Sequence, residues 1–304
     1  MKIKILLYLV VLLNLSFVFF AVHASVEVTD DKGQIFLFDK PAKRIVSLAP
    51  HITELLFSAG VTDQLVATVN YSDYPEAAKK IPRVGGYNKI DMEALMAYKP
   101  DLVIAWSTGN STEQVEKIRS LGIRVFNSEP ETFKDIAKNI RSMGRILGTE
   151  KTANQVAHEF LKELALIRQQ YPPAKPVRVF YQVWNEPLMT LSDEHLVSRV
   201  IKLCSGVNVF SDLSVMSPGI VSARVNIEAV IEKDPDVIVA GMTEDRGSWL
   251  KQWKKWPVLT AVKNKHVFAI DADLIVRQTP RVLQGARKMC KYLDVVRNYQ
   301  SASK

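Results

Sequence analysis

The stretch Ile90-Asp91-Met92-Glu93-Ala94-Leu95-Met96-Ala97-Tyr98-Lys99-Pro100-Asp101-Leu102-Val103-Ile104-Ala105 recurs without a gap as Val225-Asn226-Ile227-Glu228-Ala229-Val230-Ile231-Glu232-Lys233-Asp234-Pro235-Asp236-Val237-Ile238-Val239-Ala240, an offset of 135 residues. In each copy a short polar residue, Asp91 or Asn226, stands where a helix N-cap belongs, and a short amphipathic helix follows. A Pro-Asp pair then turns the chain into a wholly apolar run of the kind that makes a buried parallel strand. One helix–turn–strand unit used twice predicts two similar α/β lobes related by a pseudo-two-fold axis. A cleft between such lobes is a favoured place for a ligand.

The flanking sequence fits this plan. Strand-like residues 44–48 lead into a helix at 53–59 that stops at Gly60, and residues 65–69, 102–105 and 124–126 read as further strands. A helix over 111–121 lies between the last two. From 132 to 171 only helical periods occur: one helix ends at Gly148, and Thr149 is placed to cap a second over 151–170, which Pro172-Pro173 closes. The second helix is about 30 Å long. Alternation resumes with strands at 177–183, 237–240 and 267–270 and helices at 193–204 and from 280 to about 298. The expected fold is α/β: two lobes with mostly parallel central sheets, 25–148 and 173–304, joined by one long rigid helix at 149–172, with the ligand cleft between them.

Residues 1–24 read as a targeting segment. Lys2 and Lys4 precede an apolar run over 5–20, and Val22-His23-Ala24 supplies small residues for cleavage before Ser25. An uncleaved anchor helix is the alternative, since the run approaches membrane-spanning length. No cysteine follows the run, which excludes a lipoprotein anchor, and export to the periplasm is expected. The 304 residues, 47% hydrophobic and 24% charged, exclude a disordered chain and suit about two domains. Cleavage lowers the formal charge from +8 to about +6. The densest basic group, Lys251, Lys254 and Lys255 among Trp249, Trp253 and Trp256, reads as lysines snorkelling past half-buried rings; an exported protein gives it no nucleic acid to bind. Cys204 and Cys290, an even pair in an oxidising compartment, predict a disulfide.

These motifs together resemble the periplasmic solute-binding proteins of ABC importers for cobalamin, haem and iron–siderophores. The resemblance rests on the two repeated blocks, on Arg44-Ile45-Val46-Ser47-Leu48-Ala49-Pro50 with Thr53-Glu54-Leu55-Leu56, and on Trp256-Pro257 followed by Ala261-Val262-Lys263-Asn264. It covers nearly all of the chain after residue 24. Tyr71-Ser72-Asp73-Tyr74-Pro75, Trp106 with Gly109-Asn110, and the two cysteine positions are most similar to the cobalamin-binding branch. The resemblance implies capture of a corrinoid in the cleft and delivery to a permease dimer in the inner membrane, with a haem or ferric siderophore as the alternative cargo. It implies a monomer that carries no cofactor of its own.

Carried over by position, Tyr71, Tyr87 and Trp106 line the cleft from the first lobe, and Asp273 and Arg277 from the second. Trp184 lies near a further aromatic of the family. A corrin is a broad apolar plate fringed with amides, so flat rings and a few orienting polar groups suit it. The pattern also departs: Tyr87, Ser217 and Leu274 stand where the cobalamin branch has tryptophans, and Val276 replaces an acid. Glu93 and Glu228 match the pair that docks on permease arginines; each also lies in a first helical turn, where the macrodipole favours an acid.

Other classes find little support. The histidines His51, His158, His195 and His266 are too dispersed for a metal receptor, although His51, after Ala49-Pro50, is a candidate axial ligand to a haem iron or corrinoid cobalt. No phosphate loop, nucleophile elbow, dinucleotide fingerprint or zinc-protease motif occurs, and paired acids such as Asp271 and Asp273 have no evident catalytic partner, so a periplasmic enzyme is the remote alternative.

Overall fold

A computed structural model describes residues 25–213, 221–242 and 248–302; the targeting segment and Ser217 lie outside them. The chain opens on an antiparallel hairpin, β1 (Val26–Thr29) and β2 (Ile35–Phe38), whose turn is closed by the Asp30 carboxylate accepting from the Lys32 and Gln34 N–H groups. The first lobe continues with β3 (Ile45–Ser47), α1 (Pro50–Ser58), β4 (Leu65–Ala67), the short hairpin β5 (Gly85–Gly86) and β6 (Lys89–Ile90), α2 (Met92–Ala97), β7 (Leu102–Ala105), α3 (Thr112–Ser120) and β8 (Arg124–Asn127). Its central sheet is parallel in the order β4-β3-β7-β8.

Two helices follow, α4 (Phe133–Leu147) and α5 (Glu150–Gln170). The second lobe holds β9 (Val177–Gln182), β10 (Met189–Leu191), α6 (Leu196–Leu203), β11 (Gly206–Asn208), β12 (Ser222–Arg224), α7 (Ile227–Lys233), β13 (Val237–Met242), α8 (Ser248–Gln252), α9 (Thr260–Lys263), β14 (Val267–Asp271) and α10 (Val282–Ala302). Its main sheet is again parallel, in the order β11-β9-β13-β14, so each sheet is wound in the same way.

The repeat is three-dimensional. Asp91 and Asn226 cap their helices by accepting from Ala94 N–H at 3.0 Å and Ala229 N–H at 2.9 Å. Each helix ends on a residue with positive φ before the proline, Lys99 at 45° and Asp234 at 36°. The following aspartate anchors the start of a central parallel strand: Asp101 accepts from Lys43 N–H at 2.8 Å and Arg44 N–H at 3.1 Å just before β3, and Asp236 from Arg178 N–H at 2.8 Å in β9. The guanidinium of that same arginine closes the helix end, Arg44 on the Tyr98 carbonyl and Arg178 on that of Lys233. A cation on the last carbonyls also suits the helix dipole.

Helix α5 buries Ala153, Ala157, Phe160, Leu164 and Ile167, the one-face spacing of an amphipathic helix. That face belongs to a continuous apolar core that includes Ile45 and Leu102 of the first lobe and Val179, Ile201 and Leu293 of the second. Cys204 and Cys290 are bonded, tying the end of α6 to α10. Trp249 and Trp253 are buried, and Trp253 donates to Gln182 Oε1 at 2.8 Å, so these rings are core while Lys251, Lys254 and Lys255 stay exposed.

Three local expectations need correction. Helix α1 begins at Pro50 rather than residue 53, because proline is already shaped for a first helical turn. Thr149 precedes α5 without capping it; its hydroxyl donates instead to the Ala59 carbonyl at 2.6 Å and fastens α4 and α5 to the end of α1. The helix expected from 193 starts at Leu196, since His195 Nδ1 accepts the Val197 N–H at 3.0 Å and serves as its N-cap.

Candidate functional site

Several residues around the cleft leave the carboxyl ends of parallel strands, where open α/β sheets place their ligands, while Tyr87 lies in the antiparallel β5–β6 hairpin and His195 follows the antiparallel β10. Pro50 and His51 follow β3, Tyr71 and Asp73 follow β4, and Trp106 follows β7; from the second lobe come His195, Asp273, Val276, Arg277 and Gln278. With Tyr87 they line a cavity of about 410 Å³.

Trp106 is held from several sides. Its backbone N–H donates to Asn110 Oδ1 at 2.6 Å and its indole N–H to Glu129 Oε1 at 2.8 Å. Asn110 in turn donates to the carbonyls of Leu48 at 2.9 Å and Tyr87 at 2.7 Å, which links three cleft loops through one amide. A Cβ on Gly109 would fall 1.9 Å from Trp106 Cε3, so only glycine lets the loop close over this ring. Tyr87 lies 5.6 Å from Trp106 between ring centroids, and His51 meets Trp106 edge-on at 5.2 Å.

Tyr71 is 74% exposed and has φ of +65°, a left-handed conformation uncommon for a bulky residue. The adjoining Ser72 is buried against Thr68, whose hydroxyl donates to it at 2.8 Å, and Arg83 donates to the Ser72 carbonyl at 2.6 Å. Across the cleft, the Asp271 carboxylate accepts the Asp273 N–H at 2.9 Å in the turn Ala272–Leu274. Burial raises the Asp273 carboxyl above its ordinary range, against the opposing pull of Arg277, whose Nη2 lies 2.9 Å away.

The two wall histidines are neutral bases. Burial, aided by the Arg277 charge, lowers His51 to about 3, and burial lowers His195 to about 4. His51 Nε2 has no hydrogen-bond partner among the described residues. Because His195 Nδ1 accepts a backbone N–H, the neutral ring carries its proton on Nε2 and offers a donor at the cavity wall.

Five expected contact residues, Tyr71, Tyr87, Trp106, Asp273 and Arg277, therefore line one cavity. Trp184 does not line it; its ring packs at 76° on Trp249, and its N–H donates to the Glu186 carbonyl at 3.0 Å. Leu274 is also absent from the wall, while Val276 lies in it. His195 joins the wall without any sequence spacing that announces it, because its place depends on capping α6. Glu93 and Glu228 lie on the exposed faces of α2 and α7. Among the described residues no three His, Cys, Asp or Glu side chains gather into a metal site.

A family model described as periplasmic binding protein matches residues 45–274. This chain belongs to the periplasmic binding protein family. One member, the vitamin B12-binding protein of Vibrio cholerae serotype O1, is 39% identical over 256 residues, covering 84% of this chain and 90% of that protein. The vitamin B12-binding protein of Yersinia pestis is 34% identical over 252 residues, 83% of this chain and 86% of that one. The crystal structure of the periplasmic vitamin B12 binding protein BtuF of Vibrio cholerae superposes with a TM-score of 0.78 at 38% identity, covering 84% of this chain and 98% of that chain. The periplasmic heme-binding protein RhuT from Roseiflexus shares the fold, with a TM-score of 0.73 at 22% identity over 84% and 99% of the chains. As a periplasmic binding protein, this chain is the small-molecule receptor of an importer and not an enzyme.

Proposed function

We propose that the chain captures cobalamin or a related corrinoid between its lobes in the periplasm and hands it to an inner-membrane permease. The observation that carries this reading is the aromatic wall of Tyr71, Tyr87 and Trp106 facing Asp273 and Arg277 across one cavity. Rings supply area to the face of a corrin, and the ion pair and the His195 donor suit its amide fringe. The named relatives support the choice of cargo. Haem is the second reading, in which the neutral His51 imidazole in the wall would turn its buried, unpartnered Nε2 toward the iron. Residues 1–24 serve export, and the receptor acts as a monomer whose working units are 25–148 and 173–304 about the helix at 149–172. Glu93 and Glu228, one per lobe, meet matching cations on the two halves of the permease.

Tryptophan fluorescence during titration with cyanocobalamin tests the cargo. Saturable quenching at one ligand per chain, lost in Trp106→Ala, is expected. Quenching by haem with none by cyanocobalamin would transfer the assignment to the second reading.

A further inference from the structure

One buried carboxylate beside the cleft has no part in the ligand reading. Glu54, on α1 of the first lobe, is 2% exposed, and two arginines of the second lobe converge on it. Arg277 Nη1 donates to Oε1 at 2.8 Å, while Arg281 donates from Nη2 to Oε1 at 2.6 Å and from Nε to Oε2 at 2.9 Å. The paired contact of Arg281 is a planar fork, which fixes direction as well as distance. Arg277 also reaches Asp73 Oδ1 at 3.3 Å and the Tyr71 carbonyl at 3.2 Å, both in the first lobe. The Arg281 guanidinium lies 3.9 Å from the centre of the Tyr74 ring. All first-lobe partners thus come from α1 or from 71–74, and both cations come from 277–281.

Two cations meet on a single desolvated anion. Taking away that anion leaves two guanidiniums close together without their shared counter-charge, which costs more than the pair itself contributes. Among the described residues, no other ion pair between the lobes has a buried carboxylate. We propose that Glu54 is a positioning residue: it pins segment 273–281 against the first lobe, sets the cleft width at that end, and holds the Arg277 guanidinium where a bound ligand meets it.

Spin labels on Lys117→Cys and Lys263→Cys, one exposed position per lobe and neither beside the Cys204–Cys290 bond, measure the lobe separation in ligand-free protein. Glu54→Gln, which keeps the shape and removes the charge, is expected to broaden or shift the distance distribution. It should also weaken cyanocobalamin binding at least tenfold, mainly through faster dissociation, and Glu54→Asp should recover part of both. An unchanged distribution in Glu54→Gln with affinity within twofold of wild type overturns the proposal. Where Glu54→Gln does not accumulate, Arg281→Gln, which leaves Glu54 paired with Arg277, must broaden the same distribution, and an unchanged one is again contrary. The affinity arm rests on the corrinoid reading and the distance arm does not. A wild-type protein that ignores corrinoids thus sinks that reading while Glu54 is still judged by distance.

Discussion

At the scale of single residues, the cleft depends on positions whose value lies in what they leave room for. Gly109 is one: a methyl there collides with the Trp106 ring, and the ring, tied at its N–H to Glu129, must give way. Gly109→Ala is expected to lower ligand affinity about tenfold with a stability loss of about 1–3 kcal/mol, the usual range for overpacking; calorimetric binding and denaturant unfolding on one preparation check both. His51 makes a different prediction. Its folded pKa of about 3 lies below the ordinary 6.5, so below pH 6.5 the unfolded chain binds a proton that the folded chain refuses. Its contribution to stability is therefore full above that pH and declines on acidification toward 3. Unfolding midpoints measured between pH 7 and 4 should fall less steeply in His51→Asn than in wild type. Equal slopes would mean that the ring is not buried in its neutral form.

At the scale of elements, much of the fold can be read locally and its fastenings cannot. The repeated helix–turn–strand, the alternation of strands with helices, and the long α5 all follow from apolar periodicity within a few turns of chain. The partners of the Pro-Asp turn do not: Asp101 holds Arg44, and Asp236 holds Arg178, across more than fifty residues, and nothing near either aspartate announces it. Thr149 looks like a cap and acts as a tertiary tie, for the same reason. The hairpin of β1 and β2 is signalled only by the alternation of Val26-Glu27-Val28-Thr29 and the Asp30–Gly33 turn, since the wholly apolar Ile35–Phe38 looks like a buried strand of the α/β pattern. In the site, the aromatic and charged residues came from positional resemblance, whereas His195 needed the knowledge of where α6 begins. The disulfide makes an element-scale prediction. It closes a separation of 86 residues within the second lobe, away from the residues of the cavity wall. Replacing both cysteines by serine should cost about 2–5 kcal/mol in unfolding free energy and leave ligand affinity within a few-fold of wild type. A large loss of affinity with unchanged stability would contradict a purely structural bond.

At the scale of the whole molecule, pseudo-symmetry gives the two lobes equivalent surfaces and an asymmetric cavity. Glu93 and Glu228 are both second residues of repeated helices and both exposed, so the same charge is offered twice on one molecule. That arrangement suits a partner built from two like halves. Glu93→Lys with Glu228→Lys should leave ligand binding near wild type and abolish uptake in cells; surviving transport would remove the docking role. The cavity, by contrast, has rings on the first-lobe side and an ion pair with a histidine donor on the other. The central claim is that this asymmetric wall is built for a corrin. Calorimetric titration of the mature protein against cyanocobalamin, haem and a ferric siderophore, side by side, tests it most directly. The account predicts tight one-to-one binding of cyanocobalamin in preference to the other two. Tight binding of haem or the siderophore with no heat from cyanocobalamin would contradict it.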